Sequence, residues 1–299
     1  MSSKRERDHT QQHVVVPAVI AGERRGVLTV LAGPQPGRLI ALTDEELTIG
    51  RSDESTIALD DDSLSRRHVR LFRAHQRYFV EDLQSTNGSF VDGARITVPV
   101  ALEDGMRVQL GATTVMRFAM RDQAEVEATR RVYEATVRDR LTGVFNRHFL
   151  DERLLSEMSY AKRHGTTLSV LFVDADHFKA VNDTHGHAGG DEVLRQIASL
   201  LQRTMRSEDV VARYGGEEFV VVVRGIAAIG VLAVAERLRA GVEALRIEVA
   251  GAHVPVTISV GVATQSPESD HAGVEELLAV ADAALYRAKA SGRNRVFLA

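Results

Sequence analysis

VVARYGGEEFVVVV, residues 210–223, carries two apolar runs, Val210 to Tyr214 and Phe219 to Val223, on either side of Gly215-Gly216-Glu217-Glu218. Runs rich in β-branched residues, separated by a short polar insert with glycine, read as two strands joined in a hairpin with its carboxylates at the tip. Upstream, Leu168 to Val173 is a continuous apolar run of the kind a buried strand presents. Val193, Leu194, Ile197, Leu200 and Leu201 then recur along one face of a helix. Downstream, a second amphipathic helix runs through Val231, Val234, Leu238, Val242 and Leu245. The strand VPVTISVGVAT follows, and a third helix passes through Val274, Leu277, Leu278, Ala281 and Leu285. The order βαββαβ predicts an α+β, ferredoxin-like sheet for residues 139–299.

The first half follows another pattern. Between Gly26 and Met120 the apolar residues come in short runs (VLTVL, RLIAL, LTIG, TIAL, HVRLF, RYFVEDL, SFV, RVQLG, TTVMRFAM) with turn residues between them and no amphipathic helix. That spacing predicts an all-β antiparallel sandwich over residues 26–120. RDQAEVEATRRVYEATVRDR, which follows, lacks Gly and Pro and places Val126, Tyr133 and Val137 at near-helical spacing, so a linker helix is predicted over residues 121–138. Its apolar stripe is thin, which leaves a coiled-coil seam and a solvated connector both open. Residues 1–25, opening MSSKRERDHTQQH, are expected to be a flexible tail.

A chain of 299 residues accommodates two ordinary domains. The absence of Cys removes disulfides, thiolate metal sites and cysteine nucleophiles, and suits a reducing compartment. With 37 Lys+Arg against 41 Asp+Glu, the net charge of −4 offers no general attraction to nucleic acid or anionic membranes. The most apolar stretch, Phe219 to Ala235, is broken by Arg224, Gly225 and Gly230 and is too short to span a bilayer. A cytoplasmic protein is expected.

Three clusters in the first half fall between strands, at the end of a sandwich where loops gather: Gly50-Arg51, Ser65-Arg66-Arg67-His68 and Ser85-Thr86-Asn87-Gly88. Arg51 suits a two-pronged contact to a phosphate, the Ser65 hydroxyl another phosphate oxygen, and Asn87 the backbone of a bound peptide. Taken singly, each is ordinary turn chemistry. As a set, G-R, S-x-x-H and S-T-N-G resemble the forkhead-associated (FHA) domain over about residues 28–120. The resemblance implies a phosphothreonine-peptide reader, with Arg51 and Ser65 on the phosphate, Arg66 and Thr86 flanking it, Asn87 on the peptide backbone and His68 supporting the loops. Thr10, the threonine of the tail, is a candidate for the phosphorylated residue, docking into its own chain's site or that of a dimer partner.

In the second half, LFVDADHFK puts Asp174 and Asp176 at a strand end, and the hairpin tip offers Glu217 and Glu218. Hard oxygen donors so placed suit Mg²⁺, which takes one or two carboxylates and leaves phosphate oxygens to complete its shell. The same placement is equally that of solvated strand ends. Lys179, Lys289 and Arg293 are cations able to converge on phosphates, or else solvated helix residues. Asn182 and Asp191 suit a base edge: a carboxylate accepts from the N1–H and N2–H of guanine, a donor pair adenine lacks. His185 and His187 in THGH lack the carboxylate partners of a zinc site and are read as loop residues.

RDRLTGVFNR (138–147), DADHFKAVND (174–183), GHAGGDEVL (186–194), RYGGEEF (213–219) and ALYRAKASGRNRV (284–296) together resemble the GGDEF family of diguanylate cyclases. The resemblance implies condensation of two GTP into cyclic di-GMP and two pyrophosphates, by a Mg²⁺-dependent homodimer with Mn²⁺ as the alternative ion. Asp174, the Ala175 carbonyl and Glu217 match metal ligands, and Glu217, Glu218 and Asp176 match catalytic positions. Phe178, Lys179, Asn182, Asp191, Gly215, Gly216, Lys289 and Arg293 match positions contacting GTP. Arg206 and Asp209 match the family's R-x-x-D inhibitory site for the product, with Arg237 as a further contact. Two rivals remain: a domain that binds cyclic di-GMP without making it, and a cyclase acting on one ATP, against which Asp191 argues.

Overall fold

The computed structural model describes residues 24–43, 45–52, 54–206, 209–267 and 273–299. Thr10 and nearly all of the predicted tail lie outside them. The chain divides into two compact units, one ending at Arg130 and the other beginning at Arg131.

The first unit holds β1 (Arg25–Ala32), β2 (Leu39–Ala41), β3 (Leu47–Gly50), β4 (Ile57–Ala58), β5 (Val69–Ala74), β6 (Arg77–Asp82), β7 (Ser89–Val91), β8 (Ala94–Arg95), β9 (Val100–Ala101), β10 (Arg107–Leu110) and β11 (Thr114–Arg121). They form a six-stranded sheet, β2-β1-β11-β10-β7-β8, and a five-stranded sheet, β4-β3-β5-β6-β9. Alternation decides what each strand buries. Leu28 and Val30, Val108 and Leu110, and Met116 and Phe118 point inward from one sheet to meet Ile49, Val69, Leu71 and Val80 of the other in one core. This is the expected all-β sandwich.

Helix α1 (Gln123–Val137) follows where the linker helix was predicted. It begins with a reciprocal cap: the Glu125 N–H donates to Asp122 Oδ1 at 2.8 Å and the Asp122 N–H to Glu125 Oε2 at 3.0 Å. No residue of α1 is fully buried, but Val126, Tyr133 and Val137 of its apolar stripe are half-buried, and Val137 packs against the core beside Phe149 and Leu150.

The second unit continues with α2 (Arg147–His164), β12 (Leu168–Ala175), α3 (Phe178–Thr204), β13 (Val210–Gly215), β14 (Glu218–Arg224), α4 (Ala228–Glu243), β15 (Ile247–Val249), β16 (Ala252–Val254), β17 (Ile258–Gln265), α5 (Val274–Ala290) and β18 (Val296–Leu298). The sheet order β13-β14-β12-β17-β18 contains the expected ferredoxin-like arrangement, with β18 added in parallel at one edge. All eight residues of β12 are buried. Its odd-numbered Leu171 and Val173 pack with α3 and α4, whereas Val170 and Phe172 pack with α2 and α5. Helices cover both faces, which is why these strands read as unbroken apolar runs rather than alternating ones. Three elements were not predicted: α2, the β15–β16 hairpin and β18. The strand read from Val254 instead begins at Ile258, because the chain ends one small hairpin at Val254 before entering the main sheet. Among the described residues no helix is long and apolar enough to cross a membrane.

Candidate functional site

β12 lies between β14 and β17, with Asp174 opposite Glu218 on one side and Ser259 on the other. In the hairpin, Gly215 pairs with Glu218, so Gly216 and Glu217 form a two-residue turn. Gly216 takes φ +51°, where a residue without Cβ avoids the left-handed penalty. The tip is held from behind. The Arg213 guanidinium donates to the Gly216 carbonyl at 2.9 and 2.7 Å and to the Asp139 carboxylate at 3.2 and 3.3 Å. Asp139 also accepts from the Thr142 backbone and hydroxyl. Burial pushes the Asp139 carboxyl up, but the Thr142 bonds and Arg213 outweigh it and hold the group below its ordinary value.

At the strand ends, negative charge is crowded. Asp174 is 5% exposed. Burial pushes its carboxyl up to about 6; Lys289 opposes the shift and Glu217 and Glu218 add to it. The Lys289 ammonium lies 2.7 Å from Asp174 Oδ2. Glu218 is also raised, first by burial and then by Asp282 and Glu217, against the pull of Lys289 and Arg147. Among the described residues no three acidic or imidazole side chains converge as a ready-made metal cluster. The oxygen donors available, two carboxylates and a strand-end carbonyl with mutual repulsion between the acids, fit Mg²⁺, which draws its remaining ligands from phosphate and water.

Two of the predicted site residues have side chains committed within the fold. Asp176 was grouped with the catalytic carboxylates, but both its oxygens are occupied. Oδ1 accepts from the Ser259 hydroxyl at 2.6 Å, and Oδ2 from the Thr257 hydroxyl at 2.7 Å and the Asn294 N–H at 3.0 Å. It is turned into the protein. Phe178 was grouped with GTP contacts, but its side chain belongs to the core with Val181 and Val193; only its backbone N–H, in the first turn of α3, remains for a phosphate. Lys179, the next residue, is exposed.

Asn182 and Asp191, the residues expected at a base edge, are brought close by a break in α3. Gly186, at φ +70° and ψ +171°, interrupts the helix and folds its first two turns against the rest. Asn182 lies on Gly190, where an added Cβ would come within 2.0 Å of Asn182 Oδ1. Asp191 follows directly. His185 and His187 sit around this break and form no metal cluster with their described neighbours. Arg293 is exposed on the turn that ends α5. Beyond α3, the Arg206 N–H donates to Asp209 Oδ2 at 3.0 Å and the Asp209 N–H returns to the Arg206 carbonyl at 3.2 Å. Arg237 is exposed on α4, one turn before Gly241, where α4 meets Leu200 of α3.

In the first unit the three predicted loop clusters do meet. The Arg51 N–H donates to the Ser65 carbonyl at 3.0 Å, and Ser65 Oγ accepts from the Thr86 N–H at 3.0 Å. The Arg51 guanidinium stands 3.7 Å from Asp62, and Arg66 is exposed. His68 is fully buried. Its Nδ1 accepts from the Ser65 N–H at 3.0 Å, so Nε2 carries the proton toward the Gly88 carbonyl at 3.1 Å; burial holds its pKa below the ordinary value. It braces the loops, as expected. The Asn87 side chain is anchored through its Nδ2, which donates to the Ser63 carbonyl at 2.8 Å, and its Oδ1 is left for the peptide N–H expected of it.

Four residues near these sites had been given no role: Asp139, Arg147, Arg213 and Asp282. Arg147, whose guanidinium lies 4.1 Å over the Tyr214 ring, stands in the quoted RDRLTGVFNR motif, and Arg213 in RYGGEEF. Asp282 carries no local signal, since only the packing of α5 brings it to Glu218.

The family model "Diguanylate cyclase, GGDEF domain" matches residues 136–295, and the FHA domain model matches residues 47–111. The probable diguanylate cyclase DgcC of Escherichia coli (strain K12) is 40% identical over 173 residues, covering 58% of this chain and 46% of the relative. The response regulator PleD of Caulobacter vibrioides is 44% identical over 165 residues, covering 54% of this chain and 36% of PleD. The chain thus spans less than half the length of these curated relatives. Among solved structures, the coiled coil and GGDEF domain of DgcB from Caulobacter crescentus, in complex with c-di-GMP, aligns with a TM-score of 0.54 at 35% identity, covering 59% of this chain and 94% of that one. Diguanylate cyclase SiaD from Pseudomonas aeruginosa, in complex with its activator SiaC, aligns with a TM-score of 0.53 at 37% identity, covering 59% and 67%.

Proposed function

Because the chain belongs to the GGDEF family of diguanylate cyclases, whose model spans more than half of it, we propose that its second unit joins two GTP into cyclic di-GMP. The observation that carries this reading is the meeting of Asp174, Glu217, Glu218 and Lys289 at one end of the sheet. Each 3′-oxygen attacks the α-phosphorus of the other GTP, the bond from that phosphorus to the β-phosphate bridge breaks, and pyrophosphate leaves. A bound Mg²⁺, or Mn²⁺, held by Asp174, the Ala175 carbonyl and Glu217, supplies charge neutralisation at the phosphates. Lys179, Lys289 and Arg293 hold the triphosphate, while Asn182 and Asp191 select guanine. Glu218, with its raised pKa, is the base for the 3′-hydroxyl proton. Gly215 and Gly216 let backbone approach the nucleotide.

The product has two-fold symmetry and each unit supplies one guanine site, so catalysis takes place between two copies arranged about a two-fold axis. Arg206 and Asp209, with Arg237 nearby, take the product as an inhibitor; the complex of the DgcB relative with c-di-GMP supports product binding in such domains. The first unit reads a phosphothreonine peptide through Arg51, Ser65, Arg66, Thr86 and Asn87, with phosphorylated Thr10 as one candidate ligand, and so regulates the cyclase.

The test is incubation with GTP and Mg²⁺ beside Glu217→Gln. Cyclic di-GMP from the wild type and none from the variant supports the enzyme. Cyclic di-GMP binding by both, with turnover by neither, identifies the binding-only alternative.

A further inference from the structure

Where α5 ends, the chain passes through Gly292 (φ +108°), Arg293 (φ +60°) and Asn294 (φ +46°), three consecutive left-handed residues of which two are not glycine. Such conformations are unfavourable for residues with a Cβ, though Asn tolerates them best, and they persist only where surrounding contacts over-determine them. Here the contacts are explicit. The Asn294 N–H donates to Asp176 Oδ2 at 3.0 Å, and Asn294 Nδ2 to Glu243 Oε1 at 2.7 Å. Arg239 Nη1 donates to Asn294 Oδ1 at 2.7 Å. Arg239 is itself gripped by Glu236 at 2.6 Å and Glu243 at 2.8 Å, with its side chain only 15% exposed.

Asn294 therefore uses its N–H and both ends of its side-chain amide in bonds to its own chain. One set of bonds ties it to the loop after β12, through an Asp176 that Ser259 and Thr257 hold in place. The other ties it to α4. Arg293, one residue earlier in the same strained turn, has an exposed side chain, and these bonds, with its own N–H donating to the Ala288 carbonyl at 3.1 Å, fix the backbone from which it extends.

We propose that Asp176, Asn294 and the Arg239–Glu243 pair form a positioning network that presents Arg293 to the GTP phosphates. The proposal rests on the cyclase reading above, in which Arg293 is a phosphate contact. It gives Asp176 a positioning role in place of a catalytic one, and it gives α4 a part in substrate binding through the bonds of Arg239 and Glu243 to Asn294.

The test measures the affinity of a non-hydrolysable GTP analogue by calorimetry, together with KM and kcat for GTP, in the full chain. Asn294→Ala is expected to weaken analogue binding and raise KM by about fivefold to tenfold, the net scale of one ordinary hydrogen bond, with kcat within about twofold. Arg239→Gln, which leaves the turn's own residues unaltered, is expected to move the same quantities in the same direction. Asn294→Ala combined with Arg293→Ala should bind no more weakly than Arg293→Ala alone, because Asn294 acts through Arg293. A double variant that multiplies the two single losses overturns the network, as do Asn294→Ala and Arg239→Gln proteins that bind like the wild type. Asp176→Asn raising the Mg²⁺ concentration for half-maximal turnover also overturns it, by making Asp176 a metal ligand. A wild type that binds the analogue but makes no cyclic di-GMP sinks the cyclase reading, and the binding comparison then decides the network by itself. A wild type that makes cyclic di-GMP while the variants bind normally sinks the network alone.

Discussion

Asp174→Asn is expected to stabilise the second unit while abolishing turnover. The wild-type carboxyl is pushed from 3.8 to about 6, chiefly by burial, with Lys289 opposing the shift and Glu217 and Glu218 adding to it. A rise of about two units, at roughly 1.36 kcal/mol per unit, means that keeping Asp174 ionised at neutral pH costs the folded state about 3 kcal/mol. The sign follows from linkage. At pH 7 the group is charged in both folded and unfolded chains, and the folded state bears the whole cost. As pH falls through 6 the folded form protonates first and the cost fades; below about pH 4 both forms are protonated and it is gone. Asparagine has nearly the same shape and no charge, and Lys289 keeps Glu218 as an electrostatic partner. A gain of about 1–3 kcal/mol in a unit of this size raises Tm by roughly 3–10 °C. Scanning calorimetry in EDTA, from pH 7.5 to 4, follows the unit without divalent ions. The variant's transition should lie above the wild type's at pH 7 and merge with it near pH 4. An equal or lower Tm at pH 7, or a gap that does not narrow with acid, refutes the reasoning.

Gly50→Ala is expected to abolish phosphothreonine-peptide binding in a fluorescence titration, because its Cβ would lie 2.1 Å from the Arg66 carbonyl and part the seam joining Arg51 to Ser65. Losing the two backbone bonds of that seam and the Ser55 hydroxyl bond to Arg66, at about 1 kcal/mol each, should lower the first unit's stability by about 3 kcal/mol; unchanged peptide affinity would contradict this. Arg213→Met removes the guanidinium that links the Asp139 carboxylate to the Gly216 carbonyl, so GTP turnover should fall at least about tenfold, and a kcat within twofold of wild type would show that the hairpin tip needs no clamp. Arg206→Ala should raise the plateau of cyclic di-GMP without altering the initial rate, and a time course with an unchanged plateau removes Arg206 from the inhibitory site.

What was legible in the sequence was local. The Gly-Gly turn between two β-branched runs names a hairpin from residues 210–223 alone, and the Asn-Gly and Gly-Arg clusters of the first unit mark loops between short strands. Helix α2 was harder to see, because its buried face carries Glu157 among Leu150, Leu154 and Met158. That charge is matched by Arg153 at 2.7 Å and by Arg224 of β14 at 3.3 Å, so the buried face is not uniformly apolar along the chain. β15, β16 and β18 are three residues each, too short to show a period.

The sequence by itself determined which chemical groups the chain possesses and which of its longer, evenly patterned stretches are strand or helix, since propensity and periodicity act within a few residues. It could name Asp174 and Asp176 as a pair two residues apart, but not that they do different work. Only the tertiary structure separates them. Lys289 of α5 meets Asp174, whereas Thr257, Ser259 and Asn294 occupy Asp176. A carboxylate's role depends on which donors reach it, and those donors come from 81 to 118 residues away in the case of Asp176, across contacts that form only when the sheet and helices close around it.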